Sequence, residues 1–341
     1  MKDEKKIVYV IILNWNGWID TIECLESIFQ LKLIQFKVIV CDNASNDNSL
    51  DKISNWADGV LNARKTEFIN MPLAIKPIQT IKISRSDVEY AIVDQNTPPL
   101  ILIDNTENLG FAGGCNVGVR YALKDLQCSH VWLLNNDTVV DENALEEMIK
   151  MCNLNPSIGI CGSQVRYYHA PNIIQTLGGK LNTWLCTTHT LFGGKDAASI
   201  ITQPTEIDFV PGASMLVTRQ WLEQVGLMSE EYFLYFEEID WAERGKNIFN
   251  LAVCIKSIVY HRGGASIGNP SESGERGMRS EYYLLRGRLM FAHKFYRSRL
   301  LIVYFGMFGS ILKRLLNKKW KRAGVACCVL LGIRPKSINI G

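Results

Sequence analysis

The chain has no C-x-x-C pair and no repeated cysteine spacing, although ten cysteines stand at 24, 41, 115, 128, 152, 161, 186, 254, 327 and 328. That argues against a disulfide framework and against a thiolate zinc site, leaving buried free thiols in a reducing cytoplasm as the expectation. No apolar run reaches the roughly twenty residues that a bilayer-spanning helix needs. The opening "MKDEKKIVYVIILNWNG" has too short an apolar stretch for a signal peptide and no small-residue cleavage site, so it reads as a first strand. Acidic residues are nearly missing from the C-terminal part: from Arg276 to Gly341 there are 15 Lys or Arg against the single acid Glu281. That segment carries +14 while residues 1–275 carry −11, although the whole chain is only +3. A basic surface of this kind seeks phosphate, on nucleic acid or on anionic lipid.

What is present is globular composition, 341 residues with 47% hydrophobic and 21% charged, which suits one large domain with an appendage. "IVYVIILN" is strand-like, "WIDTIECLESIFQL" has helical apolar spacing, and "FKVIVCDN" is strand-like again. Strand, helix and parallel strand form a right-handed unit that puts both strand ends on one edge. The stretch "SHVWLLNNDTVVD" then runs four large apolar residues, Val131 to Leu134, straight into Asn135, Asn136 and Asp137. Three polar tips therefore converge: Asn14 to Gly17, Asp42 to Asn46, and Asn135 to Asp137. In open parallel sheets ligands bind beyond the carboxyl ends of the strands, although Asn and Asp also build ordinary caps and turns.

Residues 59–98, holding Pro72, Pro77, Pro98 and Pro99, read as a surface insertion. In "ENLGFAGGCNVGVRYALKD", Gly110, Gly113 and Gly114 precede a helix expected to begin near Asn116, either as a ligand loop or as a structural turn. This run is neither G-x-G-x-x-G nor a Walker loop. "EEYFLYFEEIDWAERGKN" concentrates acids after a run of aromatics, which implies burial around Glu237 and Glu238; Arg244 is placed to pair with Asp240. His261 follows the apolar strand "LAVCIKSIVY" and precedes Gly263 and Gly264, in a structural or a ligating role. Pro211 and Gly212 mark a bend, and "YHAPNIIQTLGGKLNTWLCTTHTLFGG" reads as a sugar-lining loop.

The blocks "VIILNWNG", "VIVCDNASNDNS", "NLGFAGGCNVG", "LLNNDT", "DFVPGASMLVTR", "YFLYFEEIDWAERGKN" and "VYHRGG" occur in this order over residues 7–265. Together they resemble the inverting family 2 glycosyltransferases of GT-A fold, most nearly the bacterial rhamnosyltransferase-like branch. The resemblance implies an α/β fold, a Rossmann-like, mostly parallel central sheet flanked by helices over residues 1–265; the charge and apolar pattern of 266–341 add a helical, basic extension. It implies that Asp42 binds the nucleotide base, that the loops at Asn14 and Asn116 line base and ribose, and that Asn43, Gly114 and Asn136 belong to the same nucleotide-sugar site. Asp137 and His261 would hold Mg²⁺ or Mn²⁺, Asn135 standing where the family's first metal-motif acid stands. Glu238 would be the catalytic base, in a position where many members have Asp, and Gly212 and Glu237 would lie toward the acceptor. The implied partners are a nucleoside-diphosphate sugar donor, with rhamnose from dTDP-rhamnose first, and a glycan or lipid-linked glycan acceptor in bacterial surface glycan synthesis. Another hexose carried by UDP or GDP, or an inactive nucleotide-binding scaffold, are the alternatives.

"RLLIVYFGMFGSILKRLLNKKWKR" places an apolar stretch beside bases and Trp320, which fits a helix lying on an anionic membrane surface. A helix packed on the catalytic domain is the competing reading, and nucleic acid is disfavoured because the bases accompany long aliphatic runs. The expected location is peripheral, on the cytoplasmic face of the bacterial plasma membrane.

Overall fold

A computed structural model describes residues 6–32, 35–69, 74–263 and 277–335. In chain order the elements are β1 (Ile7–Asn14), α1 (Trp18–Ile28), β2 (Phe36–Asp42), α2 (Ser49–Ala57), β3 (Thr80–Ser84), β4 (Leu100–Asp104), α3 (Gly110–Ala122), β5 (Cys128–Asn135), β6 (Thr138–Val140) and α4 (Ala144–Leu154). There follow β7 (Ile158–Tyr167), β8 (Ala170–Thr176), β9 (Gly179–Asn182), β10 (Thr187–Thr190), β11 (Ser214–Thr218), α5 (Arg219–Gln224), α6 (Glu237–Gly245) and β12 (Asn250–His261). Among the described residues there follow α7 (Met278–Phe295), α8 (Leu300–Leu316) and α9 (Trp320–Leu330).

The main sheet runs β3-β4-β2-β1-β5-β11-β7-β12-β6, with β8 beside β7. Strands β3, β4, β2, β1 and β5 are mutually parallel, whereas β11 enters antiparallel between β5 and β7. Continuous apolar strands are what a sheet covered on both faces requires, because successive side chains point to opposite sides. In β5, Trp132 and Leu134 enter one core and Val131 and Leu133 the other. Strand β1 divides likewise, Val8, Val10 and Ile12 against Tyr9 and Ile11. Each such fully buried side chain contributes about 1.5–3 kcal/mol.

Two boundaries depart from the sequence reading. Residues 59–98 are not wholly a surface insertion: β3 pairs parallel with β4 from Thr80 to Ser84, and Ala74 and Ile78 enter the core. Buried Glu26 of α1 holds this stretch, accepting hydrogen bonds from the Ala74 amide (2.8 Å), Lys76 Nζ (3.1 Å) and Trp56 Nε1 (2.7 Å). The prolines obscured a short edge strand that pairing alone stabilises. Second, α3 begins at Gly110 rather than near Asn116, so Gly113 and Gly114 lie inside the helix. A Cβ on Gly114 would stand 2.3 Å from Leu13 Cδ1 and 2.6 Å from Asn43 Oδ1; the missing side chain lets α3 press directly on β1 and the β2 tip.

The C-terminal helices share a core with the region around α6. Tyr232, Phe236, Ile239 and Ala242 form one cluster with Tyr283, Leu289, Phe291, Val303, Met307 and Val329. Glu281, buried on α7, receives Arg314 of α8 and Arg322 of α9 (2.6 and 2.9 Å). Among the described residues no helix is long and apolar enough to cross a membrane. Residues 264–276 and 336–341, which include Gly264 and parts of the expected extension, lie outside the described residues.

Candidate active site

Parallel register puts the polar tips together: Asn14 faces Asp42, Leu13 faces Asn135, and Asp42 faces Asp104 across neighbouring strands. Buried Asp42 is committed within the protein. Its Oδ1 accepts from Asn14 Nδ2 (2.6 Å) and Ser45 Oγ (2.6 Å), and its Oδ2 from the Ser45 amide (2.9 Å). Asn14 Oδ1 in turn accepts from Thr21 Oγ1 (2.8 Å), so strand tip, loop and α1 are tied into one network. The next residue, Asn43, reaches the cleft above this edge. Leu13, Trp15, Asn43, Phe111, Asn135, Asn136, Asp137, Phe233, Leu234 and Arg279 are among the residues lining it.

Asp137 and His261 come together although 124 positions separate them, because β6 pairs antiparallel with β12 and His261 is opposite Thr138. Asp137 Oδ1 is 3.1 Å from His261 Nε2. His261 Nδ1 donates to Gln175 Oε1 (2.7 Å), which leaves Nε2 as the acceptor; Asn135 Nδ2 approaches that atom at 3.2 Å. Nε2 thus has the Asn135 amide as its donor and a carboxylate oxygen 3.1 Å away, and a cation between the two acceptors would satisfy both in place of that amide. One carboxylate oxygen and one imidazole nitrogen suit Mn²⁺ or Mg²⁺ completed by substrate oxygens, and no group of three or more His, Cys, Asp or Glu able to hold a metal occurs among the described residues. Below them, Arg262 stacks on Tyr168 at 3.7 Å and pairs with Glu23 and Asp20, which anchors the end of β12 to α1. Burial raises the Asp20 carboxyl, with Arg262 opposing and Asp137 reinforcing that shift.

Ahead of α6 the chain makes a turn in which Tyr235 and Phe236 both take positive φ, 66° and 75°. Non-glycine residues there cost about 1–3 kcal/mol each and persist only where the surroundings enforce them. Helix α7 supplies the enforcement. Phe233 stacks on Tyr283 at 4.8 Å, Phe236 packs on Phe291, and Lys294 Nζ reaches Asp240 at 2.7 Å. Arg244 also pairs with Asp240 (2.8 Å), as the helical spacing predicts. A Cβ on Gly287 would stand 3.0 Å from both the Tyr235 carbonyl oxygen and the Phe236 ring. Gly287→Val is accordingly expected to lose about 1–3 kcal/mol, read as a lowered Tm in thermal unfolding.

Glu238 is half-buried in the first turn of α6, and burial pushes its carboxyl up to about 7. Glu237 is buried and raised well above the ordinary carboxylate range, first by burial and then by the neighbouring Glu238 charge; its Oε2 has no hydrogen-bond partner among the described residues. Its charge reaches Cys115 of α3, whose thiol it helps to raise after burial. Four residues before Glu238, Leu234 lines the cleft, and the Phe111 amide donates to the Phe233 carbonyl (2.9 Å). Gly212 lies beside the same wall: a Cβ there would be 3.6 Å from Phe111.

Of the expected residues, Asn43, Asn136 and Asp137 line the cleft and His261 touches Asp137, while Asn14 and Asp42 are tied together beneath it; Glu238, Glu237 and Gly212 are not among the lining residues. Asn116 does not reach the cleft lining; its amide donates to the Met228 carbonyl and to Glu230 Oε1, both at 2.9 Å, holding the loop before α6 against α3. The stretch 168–194 does not line the cleft either, although Gln175 within it orients His261. Arg279 was missed altogether. Its guanidinium lies 5.0 Å from the Trp15 ring and 5.5 Å from the Phe233 ring, and it makes no ion pair among the described residues. A cation in the first turn of α7 is disfavoured by the helix dipole, and an anion in the cleft would offset that cost.

The sheet order, the antiparallel β11 and the cleft beyond the strand ends define the GT-A fold. Residues 84–226 match the family model described as Glycosyl transferase family 2, which supports a domain of that family here. Low-salt glycan biosynthesis hexosyltransferase Agl10 of Haloferax volcanii is 27% identical over 149 residues, 42% of this chain and 45% of the relative. The match thus spans less than half the length of that relative. Among solved structures, the mannosyltransferase PcManGT from Pyrobaculum calidifontis, in complex with GDP-Man and Mn²⁺, matches with TM-score 0.52 and 14% identity over 95% of this chain and 74% of that one. GalNAc-T7 with UDP, GalNAc and Mn²⁺ matches with TM-score 0.53 and 12% identity over 84% of this chain and 48% of that one. At these identities the two structures speak for the fold.

Proposed function

We propose that the protein is an inverting glycosyltransferase that moves a hexose from a nucleoside-diphosphate donor to a hydroxyl of a lipid-linked or polysaccharide acceptor. The observation that carries this reading is the Asp137–His261 pair, whose Asp137 lines a cleft that Arg279 also lines. Asn43 and the network beneath it offer a surface for the nucleotide base, with Asn136 alongside. A divalent ion bound at Asp137 and His261 would neutralise charge on the departing diphosphate. Arg279, which lines the same cleft near the Trp15 and Phe233 rings, would add positive charge toward that diphosphate. Glu238, with a carboxyl poised near neutral pH, takes the proton of the attacking hydroxyl as the new glycosidic bond forms and the anomeric bond to the diphosphate breaks. In-line attack on the face opposite the leaving group inverts the anomeric centre.

Rhamnose from dTDP-rhamnose is the donor suggested by the motif resemblance. A second reading, another hexose on UDP or GDP, is favoured by the hexosyltransferase name of the Haloferax relative and by the GDP-Man of the Pyrobaculum structure. Thermal unfolding with a panel of nucleotide sugars and Mn²⁺ decides between them: a donor at a hundred times its Kd stabilises by about 2.7 kcal/mol. Asp137→Ala is expected to remove the part of this stabilisation that depends on Mn²⁺. Equal Mn²⁺-dependent shifts in that variant and the native protein would remove Asp137 from the site.

A further inference from the structure

Helix α8 buries one face and leaves the other uncovered. Val303, Met307 and Ile311 point into the core shared with α6 and α7. Leu301, Phe305, Phe308, Leu312 and Leu316 recur at the spacing of a single helical stripe, and all are exposed, Phe305 at 76%, Phe308 at 64% and Leu316 at 75%. Exposed Trp320 opens α9, the next helix. A contiguous apolar stripe of this size on a folded surface marks a docking face.

The charge around it selects the occupant. After Glu281 no acidic residue occurs in the chain. Glu281 is itself consumed by Arg314 and Arg322, on the buried side of α8 and α9. Lys313, Lys318 and Lys321 are exposed near the end of the stripe, so aromatic and aliphatic side chains meet positive charge that forms no ion pair among the described residues. Helix α8 has 17 residues and does not cross a membrane, yet it presents apolar and basic groups as a helix lying in a headgroup layer does. At the start of α8, Arg299 lies over the exposed ring of Trp184, 4.6 Å from its centroid, adding an amphipathic aromatic of the sort that favours the membrane–water boundary.

We infer that the exposed stripe of α8, with Trp184, Trp320 and the flanking lysines, docks this protein on an anionic lipid bilayer. The inference stands apart from the sugar chemistry, since it uses no cleft residue. The test is flotation of the full chain with vesicles of equimolar phosphatidylcholine and phosphatidylglycerol, against vesicles of phosphatidylcholine alone. Binding is expected to the anionic vesicles and to fall as salt is raised. Phe305→Ser with Phe308→Ser, and separately Lys318→Glu with Lys321→Glu, should each weaken the partition by about tenfold or more. These side chains are exposed, so an unchanged Tm confirms that both variants fold. Indifference of the native protein to either vesicle overturns the inference. So does a concentration-dependent dimer, seen by sedimentation without lipid and abolished by the two Phe substitutions, because a second copy would then be what covers the stripe. Partition that both double variants retain in full overturns it as well.

Discussion

Glu238→Gln is expected to slow sugar transfer by roughly a hundredfold to ten-thousandfold while leaving nucleotide binding close to that of the native protein. The substitution keeps shape and polarity and removes only the capacity to accept a proton, so a binding role and a chemical role separate in one variant. Steady-state transfer and nucleotide-induced thermal shift are the two readouts. An unchanged rate would take Glu238 out of the mechanism, and lost binding would make it a structural residue. The native pH profile carries the same information. Burial raises the Glu238 carboxyl to about 7, and only its deprotonated form accepts a proton, so the rate should fall by about tenfold per pH unit below that point and level off above it. Glu237 lies next to it and is raised as well, so the limb reports the pair and vanishes in Glu238→Gln. The same pair acts on stability in the opposite sense. A folded-state pKa above the ordinary 4.5 means that the folded protein binds the proton more tightly than the unfolded chain; that contribution is complete below about pH 4.5 and is lost as pH rises through about 7.

Arg279→Ala is expected to weaken nucleoside-diphosphate binding by about tenfold to a hundredfold, the loss associated with hydrogen bonds to charged groups. A nucleoside monophosphate should lose less, because its single phosphate leaves part of the guanidinium's reach unused. Arg279→Lys should recover only part of the affinity, since an ammonium cannot offer the planar fork that Trp15 and Phe233 hold in place. Titration calorimetry with diphosphate and monophosphate forms of one nucleoside gives the comparison. Equal losses for both would mean that Arg279 supports the cleft wall without meeting the second phosphate.

Much of the sheet could be read from the sequence because strands buried on two faces leave a plain mark. Val131 to Leu134 declared β5, and the polar residues after it declared the strand end. Asp137 and His261 were legible as candidates because each follows an apolar strand. What sets their distance, the antiparallel pairing of β6 with β12, leaves no local signal in three residues. Gln175 was invisible for a similar reason: its role rests on one hydrogen bond across 86 positions. Arg279 lay among fifteen basic residues of the tail, and nothing in its neighbours distinguishes the one that lies near two aromatic rings. The start of α3 was misplaced because glycines usually interrupt helices, whereas here their small size is what lets the helix approach the strands.

Helix α7 has a practical consequence for anyone who would trim this protein. A division near residue 265 separates sequence blocks, yet α7 covers the strained turn before Glu238 and carries Arg279 into the cleft. A fragment ending there would leave Tyr232, Phe236 and Ile239 facing water and Asp240 without Lys294. Such a fragment should come out of the cell as aggregate, and supplying the missing helices on a separate polypeptide should be the more promising route to a soluble, split form.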